Sequence, residues 1–223
     1  MRQTAPALLA LVLLHVPIWA QDTHPVTGRH YAGAMGVAGA PWLVRDEREA
    51  EEHPDQALDE LKIAKGSTIA DVGAGVGYMS WRMAARVGPT GRVYANDIQQ
   101  QMLELLKKNM AERHITNVVP VLGEPDDPKL PQAQMDLVLL VDVYHEFEQP
   151  QTMLRHIRES LKADGRLVLL EYRAEDPKVP IMPLHKMTVE QVKTEIEPEG
   201  FRLDQVIESL PRQHIIVFKR KPS

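Results

Sequence analysis

Acidic residues bracket a glycine-rich turn in a way that suits binding of a nucleotide-type ligand. Asp71 stands two residues before Gly73-Ala74-Gly75-Val76-Gly77, and Asp97 closes the next apolar run, Arg92-Val93-Tyr94-Ala95-Asn96. Glycines there allow a tight turn, bare backbone against a ligand and close helix packing. A helix beginning just beyond them aims free N–H groups and partial positive charge at the same spot. Asp97 can accept from both hydroxyls of a ribose, or it can hold the start of the next helix. Ile98 beside it offers an apolar face for a purine.

Asp71, within an apolar strand, needs a donor or a cation as partner, which an ammonium on the ligand or local N–H groups would provide. In the loop Gly123-Glu124-Pro125-Asp126-Asp127 a carboxylate could accept from an adenine amino group, or the loop is an acidic surface turn. One ligand with an ammonium, a ribose and an adenine is S-adenosylmethionine. A further group, Asp142-Val143-Tyr144-His145-Glu146-Phe147, follows an apolar run and offers His145 or Glu146 for proton transfer. The plainer alternative has Asp142 capping the loop while Tyr144 and His145 wall a pocket. Asp142 with Glu171 could hold Mg²⁺, but Glu171-Tyr172-Arg173-Ala174-Glu175-Asp176 suits that poorly, and the dispersed histidines have no metal-ligand spacing.

These residues fall at the ends of alternating strands and helices. Thr68–Val72, Arg92–Asn96, Val118–Leu122, Leu137–Val141 and Leu167–Leu170 read as strands. Met79, Met83 and Ala84 lie on a helix that Gly88-Pro89 stops, and Met102, Leu105, Leu106 and Met110 repeat at helical spacing. After Pro150 a helix carries Met153, Leu154, Ile157 and Leu161 inward, with Gly165 just past its end. Thr188 and Gln191 form a capping-box pattern for another helix, ended by Pro198 and Gly200. Phe201–Glu208 and His214–Phe218, with a turn at Pro211 between them, read as an antiparallel edge hairpin. The pattern is an α/β doubly wound, mostly parallel sheet, whose ligands bind beyond the carboxyl ends of the strands.

The chain has 223 residues, a net charge of −5 and no cysteine, which excludes disulfides and thiolate catalysis. Its basic residues are scattered, so no nucleic-acid face is expected. Arg2, the apolar run Ala5–Val16 and Pro17-Ile18-Trp19-Ala20 have the layout of a signal peptide cut near Ala20, or of an anchor through residues 5–20. On that reading the protein is exported, periplasmic or membrane-anchored; Met35 as the true start would make it cytoplasmic. Residues 21–61 are expected to form an arm and an interrupted helix, a possible substrate lid, with the acidic stretch Asp46–Glu60 as a solvated face. The main domain then occupies 62–223.

From Ile63 to Lys219 the chain resembles the class I S-adenosylmethionine-dependent methyltransferases. The resemblance rests on Asp71-Val72-Gly73-Ala74-Gly75-Val76-Gly77, on Asp97 after Val93-Tyr94-Ala95, and on Leu130-Pro131 before Met135-Asp136-Leu137-Val138. Leu161-Lys162-Ala163-Asp164-Gly165-Arg166-Leu167 adds to it, in place of the family's common Pro-Gly-Gly. It implies a seven-stranded sheet with the last strand antiparallel. It also implies S-adenosyl-L-methionine as cofactor, with Asp71, Gly73, Gly75 and Gly77 on the methionine moiety and Asp97 on the ribose; Ile98, Glu124 and Asp142 are expected to complete the cofactor site. The methyl acceptor is expected to be a small molecule beside Trp42, Tyr144, Tyr172, Arg173 and His185, with His145 or Glu146 as the proton-transfer group and no metal. The alternatives are an NAD-dependent oxidoreductase, which Tyr78 disfavours because a dinucleotide turn wants glycine or alanine there, and a non-catalytic adenosyl-binding protein.

Overall fold

A computed structural model describes residues 23–222. The expected signal or anchor segment, with Ala20 as its processing point, lies outside the described residues. Among the described residues no helix is long and apolar enough to cross a membrane.

Strands β1 (Thr68–Val72), β2 (Arg92–Asp97), β3 (Val118–Leu122), β4 (Met135–Val141), β5 (Leu161–Arg173), β6 (Lys186–Met187), β7 (Phe201–Ile207) and β8 (Gln213–Arg220) form one sheet. Its order is β3-β2-β1-β4-β5-β8-β7, with the two-residue β6 pairing off that path with β5. β1 to β5 are mutually parallel, and β8 runs antiparallel to both β5 and β7. The expected doubly wound sheet and terminal hairpin are both present.

Among the described residues six α-helices flank it: α1 (Arg48–Glu52), α2 (Pro54–Glu60), α3 (Ser80–Val87), α4 (Gln100–Glu112), α5 (Pro150–Ser160) and α6 (Val189–Ile196). Met153, Leu154 and Ile157 of α5 join Val192 and Ile196 of α6 against Ala70 and Val72 on one sheet face. Leu58 of α2 and Met83 and Val87 of α3 cover Ile69 on the other. Each helix boundary has a local cause. Gly88 takes φ 69° to end α3, and Thr188 with Gln191 makes the expected capping box on α6. His53 at φ 49° breaks the interrupted helix into α1 and α2, with Pro54 at the first position of α2.

Two boundaries differ from expectation. The arm expected ahead of the interrupted helix contains a 3₁₀ run over Val37–Val44. Helix α5 stops at Ser160, and Leu161, expected on its inner face, already pairs with Met135 as the first residue of β5. A bulge restores register at Arg166. Gly165 lies inside it, where an added Cβ would come 2.7 Å from the Met135 carbonyl oxygen, so glycine here serves the bulge and not a helix end.

Two polar contacts fix the parts that surround the ligand end of the sheet. Fully buried Asp71 accepts a 2.6 Å hydrogen bond from Ser80 Oγ, tying β1 to the start of α3. Burial pushes its carboxyl up from 3.8 to about 6, against the pull of Ser80. The N-terminal arm is clamped by Arg29, whose Nε and Nη2 donate to Glu195 Oε1 and Oε2 of α6 at 3.1 and 2.9 Å. The Glu195 side chain is wholly buried, and Arg29 Nη1 also donates to the carbonyl of His145 at 3.0 Å.

Because the folded chain binds the Asp71 proton more tightly than the unfolded chain, its contribution to stability is full below pH 3.8 and is lost as pH rises through about 6. Asp71→Asn should therefore gain on the parent protein between pH 4 and 7 by about 3 kcal/mol in urea melts, and a pH-independent difference would contradict the assignment. Arg29→Met strands a buried carboxylate and should cost about 3–5 kcal/mol, while Arg29→Met/Glu195→Met recovers most of it. Faster proteolysis within residues 23–47 of the single variant would locate the loss in the arm.

Candidate active site

β1 runs straight into the glycine turn, where Gly73 and Gly75 adopt φ of 75° and 53°. That conformation turns the Gly75 N–H toward the end of β2, and Asp97 Oδ2 accepts it at 2.9 Å. Asp97 Oδ1 accepts the Gln99 N–H at 2.8 Å, so the carboxylate holds the turn and the start of α4 together. Burial raises the Asp97 carboxyl, opposed by the N–H groups of Gln99 and Gly75. The third glycine serves helix packing instead. A Cβ on Gly77 would lie 2.9 Å from Met110 and 3.0 Å from Leu106, so its absence admits α4. Tyr78 stacks between the guanidinium groups of Arg48 and Arg82, 4.2 and 4.1 Å from its ring centre, and donates to Glu49 at 2.9 Å.

A cavity of about 250 Å³ opens beyond these strand ends. The sheet contributes Gly73, Gly75, Asp97, Ile98 and Asp142, and the N-terminal segment contributes Met35, Trp42, Leu43, Arg45, Arg48 and Glu52. Ile98 and Trp42 are about half exposed. Gln99 Nε2 donates to the Met35 carbonyl at 2.9 Å and joins the two halves of the wall.

At the deep side lies a charged network that the sequence did not reveal. Arg48 Nε donates to Glu52 Oε2 at 2.6 Å, and the Tyr172 hydroxyl donates to Glu52 Oε1 at 2.7 Å. Arg48 and Glu52 are 6% and 3% exposed, so these two depart from the expected solvated face of Asp46–Glu60, while Asp46, Glu47, Glu49, Asp55 and Asp59 are exposed as expected. Their spacing of four marks an ion pair on one helix face but carries no sign of its burial. Asp142, at φ 52°, accepts from Gln213 Nε2 at 2.8 Å through Oδ2, while its buried Oδ1 has no partner. Burial, then Glu52 and Glu171, hold the Asp142 carboxyl well above the usual range.

The site accommodates an adenosyl sulfonium amino acid. Asp97 lines the cavity with both oxygens fixed by backbone and able to accept further hydrogen bonds from a ribose. Gly73 and Gly75 present backbone without side chains, and the orphaned Asp142 oxygen suits an ammonium group.

Several expected residues lie elsewhere. Asp71 does not line the cavity: alternation along β1 turns it to the α3 face, onto Ser80, so it is not the carboxylate presented to a ligand ammonium. Glu124 is exposed and paired with Lys129 at 3.2 Å; Pro125 from its loop reaches the wall instead. Tyr144 is fully buried, edge-on to Phe147 at 5.7 Å, and is a core residue. Arg173 bonds Glu208 and the Leu210 carbonyl, bracing the β7–β8 turn. Trp42, Tyr172 and Glu146 line the cavity, and Glu146 is pushed up to about 7 by burial, against the imidazole of His145.

His145 and His185 do not line the cavity. His145 is 1% exposed, and its Nδ1 donates to Glu171 Oε2 at 2.6 Å, while Glu171 Oε1 accepts the Tyr144 N–H at 3.1 Å. Its Nε2 lies 3.1 Å from His185 Nδ1. Burial lowers the pKa of His145 but Glu171 outweighs it, so the net shift is upward. With both ring nitrogens engaged, His145 is not a base facing the acceptor.

Residues 70–167 match a family described as a methyltransferase domain. A protein-L-isoaspartate O-methyltransferase of Methanothrix thermoacetophila is 28% identical over 111 residues, 50% of each chain. A demethylmenaquinone methyltransferase of Geobacillus sp. is 26% identical over 117 residues, 52% of this chain and 50% of the relative. The chain thus spans about half the length of these curated relatives. Among solved structures, a SAM-dependent methyltransferase from Aquifex aeolicus superposes with a TM-score of 0.78 at 22% identity, over 83% of this chain and 98% of that one. Residues 70–167 thus match a methyltransferase domain, and the chain is built on the class I S-adenosylmethionine-dependent methyltransferase fold.

Proposed function

We propose that the chain transfers a methyl group from S-adenosyl-L-methionine to a small-molecule acceptor bound beneath residues 34–52. The observation that carries this reading is Asp97, pinned between the Gly75 and Gln99 N–H groups where it lines the cavity. When bound, the cofactor supplies an electrophilic methyl group for in-line displacement by a nucleophile. Asp97 grips the ribose, Ile98 covers one face of the purine at the cavity mouth, and Gly73 and Gly75 let the chain approach closely. Asp142, with one bare oxygen, takes the ammonium and thereby fixes the direction in which the methyl group points.

The acceptor side is largely apolar, with Met35, Trp42, Phe147 and Met153 in the wall beside Glu146 and Tyr172. Such a wall suits a flat or apolar acceptor better than a sugar or a free amino acid. The two relatives named above differ in substrate, so neither name carries over to the acceptor here. The arm and α1 act as its lid, which the Arg29–Glu195 clamp holds down. A dinucleotide reading loses support from Tyr78, whose ring is committed between Arg48 and Arg82.

Calorimetric titration of the full chain with S-adenosylhomocysteine, S-adenosylmethionine and NAD tests the cofactor. The sulfur ligands should bind in the micromolar range and NAD should not, with Asp97→Ala weakening binding about tenfold or more. Tight NAD binding, or an indifferent Asp97→Ala, would sink the reading. An ammonium beside Asp142 would draw its raised carboxyl back down, so ligand binding should release protons as pH falls toward the carboxyl's range, seen as enthalpies that vary with the buffer. That dependence should vanish in Asp142→Asn.

A further inference from the structure

Forty residues separate His145 and His185 in the chain, yet one ligand atom from each lies within 4.8 Å of the other and of a carboxylate oxygen of Glu146. We propose that these three side chains form a site for one divalent first-row transition ion of the zinc class, at the edge of the cavity that Glu146 lines.

The arrangement has the features such a site requires. The Nδ1–H of His145 is held by buried Glu171 at 2.6 Å, which leaves Nε2 as the ligating nitrogen and fixes the ring plane. A carboxylate behind a ligating imidazole is the usual outer partner of a metal-bound histidine. His145 Nε2 and His185 Nδ1 are 3.1 Å apart. Two nitrogens at about 2.0–2.1 Å from one ion sit about 2.8–3.0 Å apart in octahedral geometry and about 3.3–3.4 Å apart in tetrahedral geometry, so the imidazoles already stand near the edge length of a coordination polyhedron. Their rings are nearly perpendicular, at 83°, so each can aim its lone pair at a common point without stacking.

The donor set also limits the ion. Two imidazoles and one carboxylate suit Zn²⁺, Co²⁺, Fe²⁺ or Ni²⁺; Mg²⁺ and Ca²⁺ prefer oxygen throughout. Closing the longer distances needs only movement of Glu146 and His185, both of which are partly exposed. Glu171 also bonds the Tyr144 N–H at 3.1 Å, and Arg29 donates to the His145 carbonyl at 3.0 Å, so the backbone bearing two of the three ligands is fixed from both sides. Three protein donors leave room for a water or an acceptor oxygen, the arrangement of catalytic zinc sites. An oxygen bound there would lose its proton more readily, a use that rests on the methyl-transfer reading, whereas the site itself does not.

The test uses the full-length, metal-stripped chain without cofactor or acceptor. Equilibrium dialysis against Zn²⁺ should give one ion per chain, Mg²⁺ should give none, and Co²⁺ should produce visible d–d bands that Zn²⁺ abolishes. His185→Ala and Glu146→Gln, both at partly exposed positions, should remove the bands. Glu171→Gln, acting only through His145, should weaken binding about 10- to 100-fold. Failure of the parent chain to bind Zn²⁺ or Co²⁺, or binding unchanged in His185→Ala, overturns the site and leaves a plain imidazole–imidazole hydrogen bond. Neither result alters the titration with S-adenosylhomocysteine, so this proposal and the methyl-transfer reading fail separately.

Discussion

The carboxylate of Asp97 accepting the N–H of Gly75 is the contact on which the ligand end of the sheet depends. A strand that stops must hand its chain to a helix, and the turn between them carries unpaired N–H groups. Here Gly73 and Gly75 take conformations that cost a side-chain-bearing residue, and one freed N–H is spent on the neighbouring strand's acid. The same acid takes the Gln99 N–H, so β1, β2 and the start of α4 are locked at one point. Burial pushes the Asp97 carboxyl up, and the donors that oppose this are backbone N–H groups, not a side-chain cation that would compete with a ligand for it.

The N-terminal segment turns that open sheet edge into an enclosed space. Its attachment is electrostatic at both ends: Arg29 to Glu195 on one side, Arg212 to Glu51 and Arg82 to Glu49 on the other. Such pairs add little net stability when the cost of drying both charges is counted, but breaking one leaves a stranded buried charge. They therefore act mainly as specificity devices. An arm of small residues such as Ala34, Gly36, Gly39 and Ala40 has little apolar area with which to find its place, and the ion pairs supply the register.

The sequence made the sheet legible because strand and helix periods are local properties, and the glycine turn with Asp97 is a short motif with a mechanical reason for each position. It failed where direction mattered more than position. Asp71 belongs to the recognisable motif, yet strand alternation turns it onto Ser80, and it is Asp142, one strand over, that keeps an unpaired oxygen. Tyr144 and His145 sit in the expected loop, but a 3₁₀ turn over Tyr144–Glu146 sends the first two inward and leaves Glu146 to the cavity. Arg48 and Glu52 read as surface charge, since nothing local says that distant strands will bury a short helix. The meeting of His145 with His185 is set by β5 and the loop after it, and no spacing rule could have exposed it.

The placement of β8 bears on how the molecule is assembled. β8 is the last described strand in the sequence, yet it lies between β5 and β7, and its first residue, Gln213, donates to Asp142 in the site. Until residues 213–220 are available, β5 keeps a bare apolar edge, Leu167 to Leu170, and β7 has no neighbour at all. On a ribosome the earlier βα units can therefore collapse as they emerge, but the pocket's final hydrogen bond awaits translation of this stretch. The interval exposes a sticky strand edge, so chaperone demand and misassembly during synthesis should concentrate on this step.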